Sequence, residues 1–338
     1  MSTSIESVLA SAQPAESGLR VVALVNPASG TADRQHREEL QRELVAAFAA
    51  SGVTADIAFV SGKELGDAAV RAAESARAGT VDAVVVGGGD GSVRAVASAL
   101  AGTGIPLGVL PLGTLNHFAK DLGIPPTLTG AVAVIAAANA RPLDVAEVNG
   151  RVFVNNSSIG LYPFMVVDRE RRRRHRGLTK WVATFFAALR SLSYFPLHRL
   201  AICAAGWTEP CRTPVVFVGN NEYALAPPSF GRRETIDRGE LWLCVARPQS
   251  RVALMWLALK SALGFRPKGD DLRMFKVGSA EIVSRRKRLL VALDGEVEIL
   301  KSPLRYSTRP GALRVFVPAA EPALATDRGS AGDGPATH

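Results

Sequence analysis

Val84-Val85-Val86-Gly87-Gly88-Gly89-Asp90-Gly91-Ser92 runs from a β-branched apolar segment through a glycine cluster into a helical pattern. Beyond it, Val93, Val96, Ala97 and Leu100 recur on one helical face. Glycines in the turn let the backbone take positive φ and approach another group closely, because no Cβ intervenes. Amides left free at such a turn and at a helix start suit an oxyanion such as phosphate. Gly88, Gly89, Asp90, Gly91 and Ser92 are therefore candidate nucleotide contacts. Asp90 also fits a plain helix N-cap, since its carboxylate can accept from first-turn amides. The triple glycine before it goes beyond what capping needs.

The alternation continues on both sides. Residues 20–25 read as a strand that ends at Asn26-Pro27-Ala28-Ser29-Gly30, and residues 34–50 follow with helical spacing through Leu40, Leu44, Val45 and Phe48. A strand over 54–60, a helix over 63–77 and a buried strand over 81–86 come next. Residues 106–110 form a further strand ending at Pro111-Leu112-Gly113-Thr114-Leu115-Asn116, and 128–140 read as a helix. Such alternation predicts a parallel sheet with helices on its faces. Ligands of these sheets bind at the carboxyl ends of the strands, where the three glycine-containing junctions would meet. Ser29 and Gly30 offer a hydroxyl and open backbone to a phosphate, and Asn116 could bond a ribose or phosphate oxygen. Gly113 and Thr114 are candidate nucleotide contacts too, although each junction alone also reads as an ordinary turn, and Gly113 and Thr114 as a cap.

After residue 141 the pattern becomes predominantly β. Segments 143–148 and 151–155 flank Asn149-Gly150, a hairpin signal. Further strands are expected at 200–204, 214–218, 239–246, 280–284, 289–294 and 313–318, with helical interruptions over 169–194 and 252–264. Leu293-Asp294-Gly295-Glu296 closes an apolar strand. It reads as a turn with two solvated carboxylates, or as a base and a metal-network ligand. Asp237-Arg238-Gly239-Glu240 is a plausible plain turn, yet magnesium prefers carboxylate oxygens and water, so Asp237 is a candidate ligand.

The 338 residues, 47% of them hydrophobic, suffice for two domains with real cores. The expected division is 19–140 and 141–318, with mobile tails over 1–18 and 319–338. The N-terminus lacks a signal-peptide pattern, and no apolar run approaches the ~20 residues that span a bilayer. Cys203, Cys211 and Cys244 show no metal spacing and leave an odd count, which fits a reduced cytoplasmic setting. The net charge of +9 suggests an anionic partner. Zinc-finger and RNA-sheet signatures are missing, which argues against nucleic acid. The run Arg169-Glu170-Arg171-Arg172-Arg173-Arg174-His175-Arg176 precedes Leu178, Trp181, Val182, Phe185, Leu189 and Leu192 at helical spacing. It reads as a solvated face beside a core-packed helix, or as a peripheral attachment to an anionic membrane surface.

The ordered set Asn26–Gly30, Gly88–Ser92, Pro111–Asn116 and Leu293–Glu296 resembles the diacylglycerol kinase catalytic-domain family, which includes soluble bacterial lipid kinases and sphingosine kinases; the resemblance extends over residues 20–318. It implies an α/β class: an N-terminal nucleotide domain like that of phosphofructokinase and NAD kinase, a C-terminal β-sandwich on the acceptor side, and an active site in the cleft between. It further implies ATP along the glycine-rich edge, with Mg2+ bridging its phosphates. Asp90 would help hold Mg–ATP, and Asn26, Ser29, Thr114 and Asn116 would contact nucleotide. Asp294 matches the base, Glu296 its partner in the metal network, and Asp237 a metal-site acid. Ser92 stands where the family usually has Thr, His117 where an acid is common, and Thr31 where a basic residue is common. The implied activity is transfer of the ATP γ-phosphate to a diacylglycerol-like or sphingoid lipid hydroxyl by a cytoplasmic, peripherally membrane-associated enzyme. A soluble NAD kinase-like enzyme and an inactive lipid-binding regulator are the alternatives. The oligomeric state is open, a homodimer included.

Overall fold

The computed structural model describes residues 18–27, 34–160, 197–224, 231–233, 235–247 and 271–319, with a few isolated positions over 250–260. The two expected tails, the basic run over 169–176 with its apolar helix, and most of 252–264 lie outside the described residues.

The first half folds as its patterning predicts. β1 (Arg20–Val25), α1 (Arg34–Ala50), β2 (Thr54–Phe59), α2 (Leu65–Arg77), β3 (Ala83–Gly88), α3 (Asp90–Leu100) and β4 (Pro106–Pro111) alternate along the chain. Their strands pair in parallel in the order β2-β1-β3-β4. β3 is buried along its whole length, as a strand covered on both faces must be. Val93, Val96, Ala97 and Leu100 of α3 join this core.

Short α4 (His117–Asp121) and α5 (Leu128–Ala136) follow. α5 stops four residues short of the expected end at 140. Ala138 adopts a left-handed φ of 51°, which turns the chain into β5 (Ala140–Val148). Alanine's helical propensity loses here to strand pairing, because Ala140 lies opposite Phe316 in the sheet. β5 and β6 (Arg151–Phe153) form the expected hairpin, with Asn149 and Gly150 both at positive φ.

β7 (Asn156–Gly160), β8 (His198–Ala204), β9 (Trp207–Thr213), β10 (Val215–Asn220), β11 (Leu241–Ala246), β12 (Leu272–Val277), β13 (Ser279–Ser284), β14 (Arg288–Leu293), β15 (Glu296–Lys301) and β16 (Leu304–Phe316) follow. Among the described residues, β12-β11-β10-β7-β14-β15 form one antiparallel sheet. It packs on β8, β13 and the first half of β16 around Ile202, Val218, Leu243, Ile282, Val291 and Tyr306, a sandwich core.

One sheet runs through both sides of residue 140. β16 pairs with β5 along both its halves, across a register shift between Arg309 and Leu313; its first half also pairs with β13, and its second half runs parallel to β4. Leu313, Val315 and Phe316 thereby complete the N-terminal core. One continuous sheet joins the two halves, so the edge of the parallel strands and the sandwich are held in a fixed relation. No helix among the described residues is long and apolar enough to cross a membrane.

Candidate active site

The carboxyl edge of the parallel sheet is built by backbone packing between glycine loops. A Cβ on Gly113 would lie well inside contact distance of the Gly89 Cα, so the β3–α3 and β4–α4 loops touch main chain to main chain. Gly88 has no room for a Cβ either, with the Ser92 hydroxyl 2.5 Å from where it would stand. Asn26 donates through Nδ2 to that hydroxyl at 3.0 Å, tying the β1 end to α3. Asn116 takes a left-handed φ of 50°. Its Oδ1 accepts from the Gly113 amide at 3.0 Å, and its Nδ2 donates to the carbonyls of Pro111 and Gly113 at 3.0 and 2.8 Å. Both side-chain hydrogens are thus used inside the loop, so Asn116 shapes the loop. Ser29 and Gly30 lie outside the described residues, as does Thr31. A Gly113→Ala variant is expected to force the two loops apart, costing about 1–3 kcal/mol of stability and weakening nucleotide binding at least tenfold. Thermal unfolding and nucleotide titration of the purified variant check both.

Asp90 caps a helix, but a different one from that expected. The N-cap of α3 is Gly89, with no side-chain bond. The Asp90 carboxylate instead reaches across the loop contact to the start of α4, accepting from the His117 amide at 3.1 Å and the Phe118 amide at 3.0 Å. Asn155 adds a third donor through Nδ2 at 3.4 Å.

Asp294 and Gly295 form a two-residue hairpin turn between β14 and β15, both at positive φ (48° and 88°). The Asp294 side chain is not solvated. It turns inward onto the strap between β6 and β7, where Oδ2 accepts from the Val154 amide at 2.8 Å and Oδ1 from the amides of Asn155 and Asn156 at 2.8 and 3.0 Å. Burial pushes this carboxyl up to about 6, with the three amides and the Arg94 charge pulling the other way. Of the four lone-pair directions of a carboxylate, Oδ1 has two filled and Oδ2 one. Oδ2 is the atom left to receive a proton.

Asn155 joins the two acids. Its backbone amide holds Asp294 and its side-chain amide holds Asp90, although these acids stand 204 residues apart in the chain. The strap is itself pinned from behind. Arg233 donates to the Val154 carbonyl at 2.7 Å and to Asn155 Oδ1 at 3.2 Å, and pairs with Asp121 at 2.7 Å. Asn220 adds bonds to the Val154 and Asp144 carbonyls. Asn155, Arg233, Asp121 and Arg94 belong to none of the four motifs; a buried arginine in an otherwise standard helix pattern was the one available hint.

The metal candidates are not gathered. Glu296 is exposed and pairs with Arg94 at 3.4 Å. Asp237 lies on a turn held by Asp144 through Gly239, and its ion-pair partner is Arg141 at 3.7 Å. Among the described residues, no group of three His, Cys, Asp or Glu side chains is arranged to hold a metal by itself.

Beside Asp294 opens a cavity of about 290 Å³, lined by His117, Asn156, Phe217, Tyr223, Trp242 and Cys244 among others. Strand alternation makes it: Val216 and Val218 of β10 enter the sandwich core, while Phe217 between them faces the other side. Phe217 meets Tyr223 and Trp242 edge-on, with centroids 5.3 and 6.0 Å apart. Burial pushes the Tyr223 hydroxyl and the Cys244 thiol each up to about 12, so both stay neutral. The cavity shares Asn156 with the Asp294 cradle, so an apolar ligand in it would end beside the buried acid.

In sequence and in fold the chain is similar to known proteins. Residues 20–148 fit the diacylglycerol kinase catalytic domain. The chain is 42% identical over 257 residues to a Klebsiella pneumoniae (strain 342) protein named "Probable lipid kinase YegS-like", covering 75% of this chain and 84% of that one. A Pseudomonas aeruginosa protein of the same name is 32% identical over 222 residues, covering 64% and 70% respectively. The crystal structure of a diacylglycerol kinase from Bacillus anthracis str. Sterne superposes with a TM-score of 0.62 at 25% identity, covering 89% of this chain and 97% of that one. With its parallel nucleotide-type sheet, antiparallel sandwich and matched sequence, the chain belongs to the YegS-like lipid kinase family, with a diacylglycerol kinase catalytic domain over residues 20–148.

Proposed function

We propose that this protein transfers the γ-phosphate of ATP to the hydroxyl of a lipid acceptor, with Asp294 receiving the hydroxyl proton. The observation that carries the reading is the double role of Asn155, which links the acid of the glycine-rich edge to the acid beside the apolar cavity. ATP would lie along the glycine edge, against the start of α3 and the loop shaped by Asn116. The acceptor's hydrocarbon would enter the Phe217–Tyr223–Trp242 cavity and bring its hydroxyl to Oδ2 of Asp294. The hydroxyl oxygen forms a bond to the γ-phosphorus, the bond from phosphorus to the ADP oxygen breaks, and the proton passes to Asp294. The cavity's aromatic lining favours a lipid over the soluble acceptor of an NAD kinase.

Asp90 immediately precedes Gly91 at the start of α3, and Glu296 occupies the space that a Cβ on Gly91 would need. Two carboxylates at the anion-binding end of a helix repel a phosphate unless a cation lies between, and this donor set fits magnesium. Magnesium takes one or two carboxylates plus phosphate oxygens and water, so a three-acid cage is not required. Asp90 and Glu296 would hold it, whereas Asp237, turned to Arg141, does not fit this role. The ion would supply charge neutralisation on the phosphates. The net charge of +9 supports peripheral docking on an anionic membrane surface in a cytoplasmic setting.

The test is transfer of labelled γ-phosphate by purified protein to a panel of diacylglycerol, sphingoid base and phosphatidylglycerol in mixed micelles, with NAD as a parallel acceptor. A lipid product that disappears in Asp294→Asn supports the proposal. A phosphorylated NAD without lipid product, or no transfer to any acceptor with nucleotide still bound, overturns it. Because Asp294 must be ionised to take a proton and its carboxyl is held at about 6, kcat should fall about tenfold per pH unit below that value. A flat acidic profile down to pH 5 would contradict the assigned base.

A further inference from the structure

Arg94 lies on α3 one turn beyond Asp90, and its side chain is only 9% exposed. An arginine is almost never buried unless it is paired. Here its Nε donates to the Val152 carbonyl at 2.9 Å, Nη2 to Glu298 at 2.5 Å and Nη1 to Glu296 at 3.4 Å. One guanidinium thus holds three segments that are far apart in sequence: the helix behind the glycine loop, the start of the 152–156 strap and the hairpin carrying Asp294 and Glu296. The face of α3 is shaped for this. Gly91 lacks the Cβ that would exclude Glu296, and Arg94, one turn further along, fixes that carboxylate against the gap.

We infer that Arg94 is a positioning residue, which sets the place of Glu296 and of the strap cradling Asp294 relative to the nucleotide edge. Its planar fork makes it suited to the task, since three acceptors lie in three directions around it. A lysine ammonium offers a point charge on a flexible stem and cannot reproduce the fork. The inference rests on the proposed transfer for its catalytic consequence, while the positioning itself is a property of the fold and is measured without turnover.

The experiment compares wild type, Arg94→Met and Arg94→Lys by hydrogen exchange of peptides covering 152–156 and 294–298, and by kcat and KM for ATP. Arg94→Met is expected to exchange faster in those two segments while β1 and β3 keep their protection. It should lose about 10- to 100-fold in kcat with KM for ATP within about twofold of wild type. Arg94→Lys should recover part of the kcat and part of the protection. Should Arg94→Met fail to accumulate, Glu298→Met, which removes one of the three holds on the guanidinium, should loosen the same two segments to a smaller degree. Unchanged exchange in both segments, or faster exchange spread evenly over the whole core, would overturn the inference. If the wild type itself phosphorylates no lipid, the proposed function fails, and the exchange pattern still decides the role of Arg94.

Discussion

Asp294→Asn is expected to lose about two to four orders of magnitude in kcat, the usual contribution of a positioned general base, while binding ATP as wild type does. The separation follows from the geometry. Asp294 touches the 154–156 strap and the cavity side, whereas the glycine loops are closed by Asp90, Asn116 and the Gly89–Gly113 contact. Stability should change little, for two opposing reasons of similar size. A carboxyl held at about 6, against an ordinary ~3.9, makes its ionised form about 3 kcal/mol less favourable in the fold at neutral pH. Asparagine removes that burden. It also replaces one acceptor by an NH2 group, so if its oxygen keeps the Asn155 and Asn156 amides, the Val154 amide faces another donor. An unsatisfied buried amide costs about 1–3 kcal/mol, which offsets the gain. The pH dependence gives the sign: relative to Asp294→Asn, wild type should be most stable below pH ~4 and lose that advantage as the pH rises through about 6. Chemical denaturation at pH 4 and pH 8 measures it. A variant that keeps turnover within tenfold of wild type would remove Asp294 from the base role.

The parallel half of the fold was legible because its signals are local. Valines 84–86 followed by glycines, and leucines at helical spacing before them, need no knowledge of the rest of the chain. The sandwich was harder to read. β9 contains Pro210 and charged residues, which an edge strand tolerates, and β15 alternates polar and apolar residues too briefly to stand out. The site divides the same way. The described motif residues meet, Asn26 on Ser92, Gly89 on Gly113 and Gly91 on Glu296, but the work of individual residues depended on partners from elsewhere. Asp90 reads locally as the cap of its own helix, and only the Gly89–Gly113 contact delivers it to α4. Asn116 reads as a ligand for nucleotide, yet its amide closes its own loop. Asp294 reads as an exposed turn acid because nothing within ten residues shows that a strap 138 residues upstream will wrap its carboxylate. Periodicity reports which face of an element is buried; it says nothing about which buried amide waits for a distant acid.

The strap owes its shape to a buried ion pair, and breaking that pair should have the largest effect on stability. The Arg233 side chain is 1% exposed and that of Asp121 7%, with Nε and Oδ2 2.7 Å apart. Removing one member of such a pair leaves a charge in low dielectric without compensation, at about 3–5 kcal/mol. Arg233→Met should therefore lower the melting temperature by roughly 10 °C. The loss includes the bond to Asn155 Oδ1, whereas the Val154 carbonyl keeps Asn220 as a second donor. Removing both charges in Arg233→Met/Asp121→Leu should restore most of the stability, because an apolar pair of similar volume is often neutral or better than a buried ion pair. Catalysis should not recover with it. Asn155 then has no guanidinium to fix its side chain, and through Asn155 pass both the bond to Asp90 and the cradle of Asp294. A double variant that is stable but slow would separate what the pair does for the fold from what it does for the site. A double variant restored in both would mean that Asn155 is held well enough by the strap alone.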